Sequence, residues 1–278
     1  MTPLSIATLL KTTRQYFWSK DFTEVEIPYL NLSLPLEPNL YTFKVNDWYL
    51  PASPEFALKA YLAKNKQNCF SIAHCFRNLE STSTWHTPEF LMLEYYLVNQ
   101  NLSDLQESLK DYLSRFLNLK FINFKLPANL PANEPDFNQY FLNEIEPTLP
   151  QDKAVFITGY PAFLSPLAKS AVDNFSEHSD RDQVRAEPEG SEHRKNSSSS
   201  IRFELYINGI EIANGCEENR DIDSIRSAFL QEQKYRHENN LPLHPISEEF
   251  IQNCAALPPC CGLGLGLDRL LKVINLTK

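Results

Sequence analysis

The chain has 278 residues, with 35 acidic against 26 basic side chains, a net charge of −9 and an isoelectric point near 5.2. That length can bury a sizeable core, and the acidic balance excludes a broad, sequence-independent grip on a nucleic-acid backbone. The six cysteines form no C-x-x-C pair, which argues against a zinc knuckle or disulfide framework and for thiols in a cytoplasmic protein. No apolar run reaches membrane-span length.

In chain order, Leu4 to Trp18 places Ile6, Leu10 and Phe17 on one stripe and predicts a helix. Thr23, Val25 and Ile27 alternate with Glu24 and Glu26, predicting a strand that stops at Pro28. Leu50-Pro51-Ala52-Ser53-Pro54-Glu55 leads into a helix from Phe56 to about Ala63, with the Glu55 carboxylate in its first turn. Cys69 to Val98 reads as two strands joined by a polar loop. In the first, Ser71, Ala73 and Cys75 form a small face that leaves room for a ligand and ends in Arg77. In the second, Phe90, Met92, Glu94 and Tyr96 share a face suited to stacking a base and holding a polar group. Ser103 with Gln106 suggests a capping box at the head of a core-packing helix with Leu105, Leu109, Tyr112 and Phe116 in its stripe. Residues 122–150, with five prolines, read as loop-rich, and Ala154 to Lys169 returns to strand and turn. The charged, Ser-rich stretch 173–200 reads as a disordered insertion in an otherwise single domain.

Ile201 to Ala213 alternates on both sides of Asn208-Gly209, a hairpin signal. With those two residues as the turn, Tyr206 opposes Glu211 and Glu204 opposes Ala213, leaving Glu204 and Glu211 as diagonal neighbours. Two carboxylates so placed repel unless a proton or a cation such as Mg²⁺ sits between them. Strict alternation puts Asn214 on the face opposite Glu211 unless the strand bends near Gly215. After two helices, Gly262, Gly264 and Gly266 alternate with Leu263, Leu265 and Leu267, so one strand face is flat enough for a ligand to lie on backbone. Arg269 follows at the start of a helix, aimed at that floor.

These stretches resemble the motifs of class II aminoacyl-tRNA synthetases, in the subclass of the lysyl, aspartyl and asparaginyl enzymes. F-x-E-V-E-x-P at Phe22 to Pro28 resembles the first motif, F-R-N with H-x-P-E-F-x-M-x-E-x-Y the second, and G-L-G-L-G-L-D-R the third. The resemblance implies an α/β (α+β) fold, a mostly antiparallel sheet flanked by helices, and a homodimer built through the first motif. It implies ATP bound by Arg77, Glu80, His86, Phe90 and Arg269, with the two arginines catalytic. Mg²⁺ falls to Glu204 and Glu211, and a lysine-like amino acid to Glu55, Tyr96, Asn214, Glu218 and Gly264. The implied reaction is formation of an aminoacyl adenylate, followed by transfer to an acceptor.

S-P-E at Ser53 to Glu55, Trp85 before His86, and the lack of an N-terminal anticodon-binding barrel resemble the ligases that attach β-lysine to elongation factor P. Gly264 and the S-P-L-A segment at Ser165 resemble lysyl-tRNA synthetases, so a truncated enzyme charging tRNA is the alternative. Three departures leave room for an inactive paralogue used for binding or dimerisation: a second-motif loop one residue longer than usual with Leu79 before Glu80, Cys216 where phenylalanine is usual, and a third-motif helix that stops early; Phe163 also stands where lysyl-tRNA synthetases usually carry glutamate.

Overall fold

The computed structural model describes residues 3–36, 40–78, 85–171 and 199–277. The helices are α1 (Ile6–Trp18), α2 (Glu55–Asn65), α3 (Leu102–Leu113), α4 (Glu134–Tyr140), α5 (Ile222–Glu238), α6 (Glu248–Ala255) and α7 (Leu267–Leu276). The strands are β1 (Thr23–Glu24), β2 (Lys44–Val45), β3 (Trp48–Tyr49), β4 (Cys69–Phe76), β5 (Glu89–Val98), β6 (Phe121–Lys125), β7 (Ala154–Thr158), β8 (Arg202–Ile207), β9 (Ile210–Glu217) and β10 (Cys260–Gly266). Eight strands form one sheet in the order β1-β4-β5-β10-β9-β8-β7-β6, and β2 pairs with β3 apart from it. Among the described residues only the outermost pairs, β1 with β4 and β6 with β7, are parallel, so the expected mixed fold on a mostly antiparallel sheet is the one observed.

The two faces of this sheet have different work. On one, Leu93, Tyr95 and Leu97 of β5 meet Leu263 and Leu265 of β10 and Phe203 and Leu205 of β8 beneath α1, α3 and α7. Each such side chain taken from water stabilises the fold by roughly 1.5–3 kcal/mol. The other face carries Met92, Glu94 and Tyr96, the β10 glycines, and Asn214 and Cys216 of β9, all lining a cavity. The period of two seen in the sequence is the separation of core from site.

Several expected elements are displaced. The buried stripe of α1 is Leu9, Thr13, Tyr16 and Phe17, and Ile6 is exposed, because Phe17 stacks on Phe70 at 4.9 Å and Thr13 bonds to the Tyr112 hydroxyl at 2.7 Å. The first strand contracts to two residues. Helix α3 is capped by Asn101, which accepts from the backbone N–H groups of Ser103 and Asp104, not by Ser103. The Pro-rich stretch holds β6 and α4, whose Phe137 packs with Phe141 and Tyr160 in a second core. The expected insertion lies outside the described residues except at Ser199 and Ser200, which bridge to Pro161 and Ser170.

Candidate active site

Cross-strand register builds the site. Gly264 of β10 stands between Glu94 on β5 and Asn214 on β9, and Asn214 in turn opposes Glu204 on β8. One step along, Gly262 stands between Tyr96 and Cys216, and Cys216 opposes Arg202. The glycine row is thus a trough flanked by functional side chains. It floors a cavity of about 370 Å³. The missing side chain at Gly262 is required, since a Cβ there would lie 2.3 Å from the Tyr96 ring. The small face of β4 takes no part in the cavity: Ala73 and Cys75 pack against Ile27, Phe90 and Met92 instead.

The hairpin register departs from expectation in one place. Tyr206 opposes Glu211 as expected, but a bulge between Leu205 and Tyr206 sets Glu204 opposite Asn214, not Ala213. The extra residue on β9 is Ile212, and it restores Asn214 to the face of Glu211 without any bend at Gly215.

One end of the cavity is built for anions. Arg77 lies with its guanidinium carbon 5.2 Å from the Phe90 ring centroid. Arg269 follows the last trough glycine in the first turn of α7, where the helix dipole also favours negative charge. Its guanidinium contacts His86 Nε2 at 2.8 Å and Glu211 Oε2 at 3.4 Å, and donates to the Glu211 carbonyl at 3.0 Å. The Leu91 N–H donates to Asp268 Oδ2 at 2.6 Å, tying α7 to β5.

The other end is acidic. Glu55, Glu94 and Glu218 line it together with Tyr96, whose hydroxyl donates to Glu94 Oε1 at 2.7 Å. Burial first, and then the Glu94 charge, push the Tyr96 phenol well above its usual range, so it stays a donor. Behind this wall, buried Lys59 places its ammonium 2.6 Å from Glu55 Oε1 and 2.8 Å from Glu218 Oε2. Burial opposes the lysine charge, but Glu218 and Glu55 outweigh it and hold the group protonated. Cys216 sits beside Glu218, 3.7 Å from sulfur to Oε1, and burial raises its thiol so far that it is no nucleophile.

Of the expected residues, Glu55, Arg77, His86, Phe90, Tyr96, Glu211, Asn214, Glu218, Gly264 and Arg269 all meet at this one cavity, and Glu80 lies outside the described residues. Glu204 does not line it. Arg202 pairs with Glu204 Oε1, while Tyr160 and Tyr206 donate to Oε2 at 2.6 and 3.3 Å. Burial raises the Glu204 carboxyl against the pull of Arg202. Among the described residues no group of three acidic, His or Cys side chains forms a metal cage. Glu211 alone of the expected pair offers a cavity-facing carboxylate to an ion that arrives with phosphates.

Two contributors were not singled out from the sequence, Lys59 and Arg202, and Glu94, read there only as part of a ligand-facing strand face, joins the acidic end. Arg202 donates to Asn214 Oδ1 at 2.9 Å and to Ser165 Oγ at 2.8 Å. A guanidinium only donates, so the Asn214 carbonyl must face it, and the amide N–H groups are left for the cavity.

The sequence matches the family described as tRNA synthetases class II (D, K and N) over residues 5–278. It is 30% identical over 317 residues to the elongation factor P-(R)-β-lysine ligase of Proteus mirabilis (strain HI4320), covering 96% of this chain and 90% of that one. It is 28% identical over 310 residues to the protein of the same name from Buchnera aphidicola subsp. Acyrthosiphon pisum (strain Tuc7), covering 96% and 89%. For the one from Baumannia cicadellinicola subsp. Homalodisca coagulata the figures are 29% over 311 residues, 95% and 88%.

Proposed function

Because the chain belongs to the class II tRNA synthetases of the D, K and N group, we propose that it is an ATP-dependent ligase that activates a lysine-like amino acid and passes it to elongation factor P. The observation that carries this reading is the two-ended cavity, with arginines at one end and three carboxylates at the other, in a chain aligned almost end to end with ligases of that name. A lysine-like amino acid has its charges in the matching order.

In this reading adenine stacks on Phe90, and Arg77, Arg269 and His86 hold the phosphates. An oxygen of the amino-acid carboxylate attacks the α-phosphorus, the bond to the β-phosphate oxygen breaks, and pyrophosphate leaves. Negative charge builds on phosphate oxygens, where planar, bidentate guanidinium donors stabilise it. Asn214 N–H groups orient the amino acid, and Tyr96 with Glu55, Glu94 and Glu218 holds its ammonium groups. An acceptor amine then attacks the acyl carbon and expels AMP. Magnesium carried by the nucleotide would add positive charge at the phosphates, with Glu211 its protein ligand.

Tyr29, Leu30 and Leu32, in the segment that follows edge strand β1, and Trp48 on β3, which is bridged to that segment through Asn31 and Tyr49, expose apolar side chains, which supports a homodimer built through this region. Light scattering at twice the chain mass is the expected result. All six cysteines are free thiols, in keeping with a reducing cytoplasm. No helix among the described residues is long and apolar enough to cross a membrane.

Amino-acid-dependent exchange of pyrophosphate into ATP tests the proposal. Exchange with (R)-β-lysine or lysine is expected, followed by transfer of labelled amino acid to elongation factor P. Transfer to tRNA instead would establish the charging enzyme, and no exchange with any amino acid would establish a binding protein.

A further inference from the structure

Lys59 performs no step in the chemistry above, yet it is fully buried and bridges two of the three carboxylates at the acidic end. It is one helical turn from Glu55 on α2, and its ammonium lies 5.4 Å from the Phe250 ring centroid on α6. The lysine itself does not line the cavity; Glu55 and Glu218 do. Each of these carboxylates therefore spends one oxygen on a cation behind the wall.

The formal charges are informative. Three carboxylates alone would set three negative charges against the two ammonium groups of a diamino acid, and burial makes such an excess costly. With Lys59 behind them the wall carries two, matched to two. We propose that Lys59 is a positioning residue, a fixed internal counter-ion that sets the charge of the pocket to that of a diammonium substrate and locks the Glu55 and Glu218 carboxylates in place. The inference rests on the lysine-like substrate proposed above. The specificity of the pocket then depends on a residue the substrate never touches.

The test is steady-state pyrophosphate exchange with (R)-β-lysine and with lysine, using the full chain with melting temperature as a control for folding. Lys59→Met should raise KM for the amino acid about tenfold or more, the scale of one lost charge-assisted contact, while KM for ATP stays within about twofold. Lys59→Arg should recover most of the loss. Ethylammonium chloride should rescue Lys59→Ala, and sodium chloride at the same ionic strength should not. An unchanged amino-acid KM in Lys59→Met, or equal damage to both KM values with no ammonium rescue, overturns the proposal.

Where the single variants do not fold, the Glu218→Gln background decides. Charge matching predicts that adding Lys59→Met to Glu218→Gln raises activity above that of Glu218→Gln alone. A merely structural lysine predicts a further fall, and that result overturns the proposal. Absence of exchange in the wild-type chain with every diamino acid overturns the substrate reading, and this inference with it. Wild-type exchange beside an unaltered Lys59→Met overturns this inference alone.

Discussion

Two neighbouring glycines in the trough make opposite demands. A Cβ at Gly262 would sit 2.3 Å from the Tyr96 ring, whereas one at Gly264 would meet only Met92 Sδ at 3.5 Å. Gly262→Ala is therefore expected to destabilise the protein by about 1–3 kcal/mol, seen as a lower melting temperature. Gly264→Ala should melt like the wild type and raise KM for the amino acid alone, since its methyl projects between Glu94 and Asn214. At the other end of the cavity, Arg77→Lys should lose about 10-fold to 100-fold in exchange rate despite keeping the charge, because an ammonium cannot replace a bidentate fork. Wild-type rates in Arg77→Lys would remove Arg77 from the chemistry. The glycines, Phe90 and Tyr96 were legible in the sequence because a period of two assigns each to a face. Lys59 was not legible. In isolation it is the i+4 partner of Glu55 on a helix, which usually means a solvated pair. Its burial comes from Phe250 and Cys254 on α6, a contact no local pattern records.

Among the elements, the β8–β9 hairpin shows where local patterning fails. The Asn208-Gly209 turn sets the register at its own end, with φ of 54° and 71°, but one extra residue further along shifts every later pair. A bulge leaves no mark on the alternation of apolar and polar residues until its partner strand is known. Deleting Ile212 should remove the bulge yet leave Asn214 opposite Glu204 on the cavity face, so amino-acid-dependent exchange should persist while the loss of one buried side chain lowers the melting temperature. The cap of α3 was misplaced for a related reason. Ser103 satisfies a motif, but the Asn101 side chain reaches the N–H groups of Ser103 and Asp104 at 2.8 and 3.2 Å, and Asp104 reciprocates at 3.0 Å. Asn101→Ala should cost about 1 kcal/mol in a denaturation experiment, and Ser103→Ala should cost little. Equal losses would reverse the assignment.

Over the whole molecule, the connection between residues 40–49 and α5 confers a pH dependence. His244 packs edge-on to Tyr41 and Tyr49 at 6.3 and 5.8 Å between ring centroids, and burial together with the nearby Arg236 charge lowers its pKa to about 4. The folded protein thus keeps His244 neutral while the unfolded chain takes up a proton below about 6.5. Between those values the unfolded state binds more protons, so stability falls as pH drops through the window. Urea denaturation at pH 7 and pH 4.5 should show this loss reduced in His244→Gln; an equal loss would exclude the histidine as its source.

Sheet order has a consequence for the growing chain. Strand β10 comes after all the others in sequence, yet it lies between β5 and β9 at the middle of the sheet. Until Cys260–Gly266 is synthesised, the sheet exists as two separate pieces with open edges at β5 and β9. Open edges invite pairing with other chains, and a final strand that must close two distant segments folds slowly. Until β10 emerges, the nascent protein therefore has neither a joined sheet nor a floor for its cavity, a window in which chaperones and aggregation compete for it.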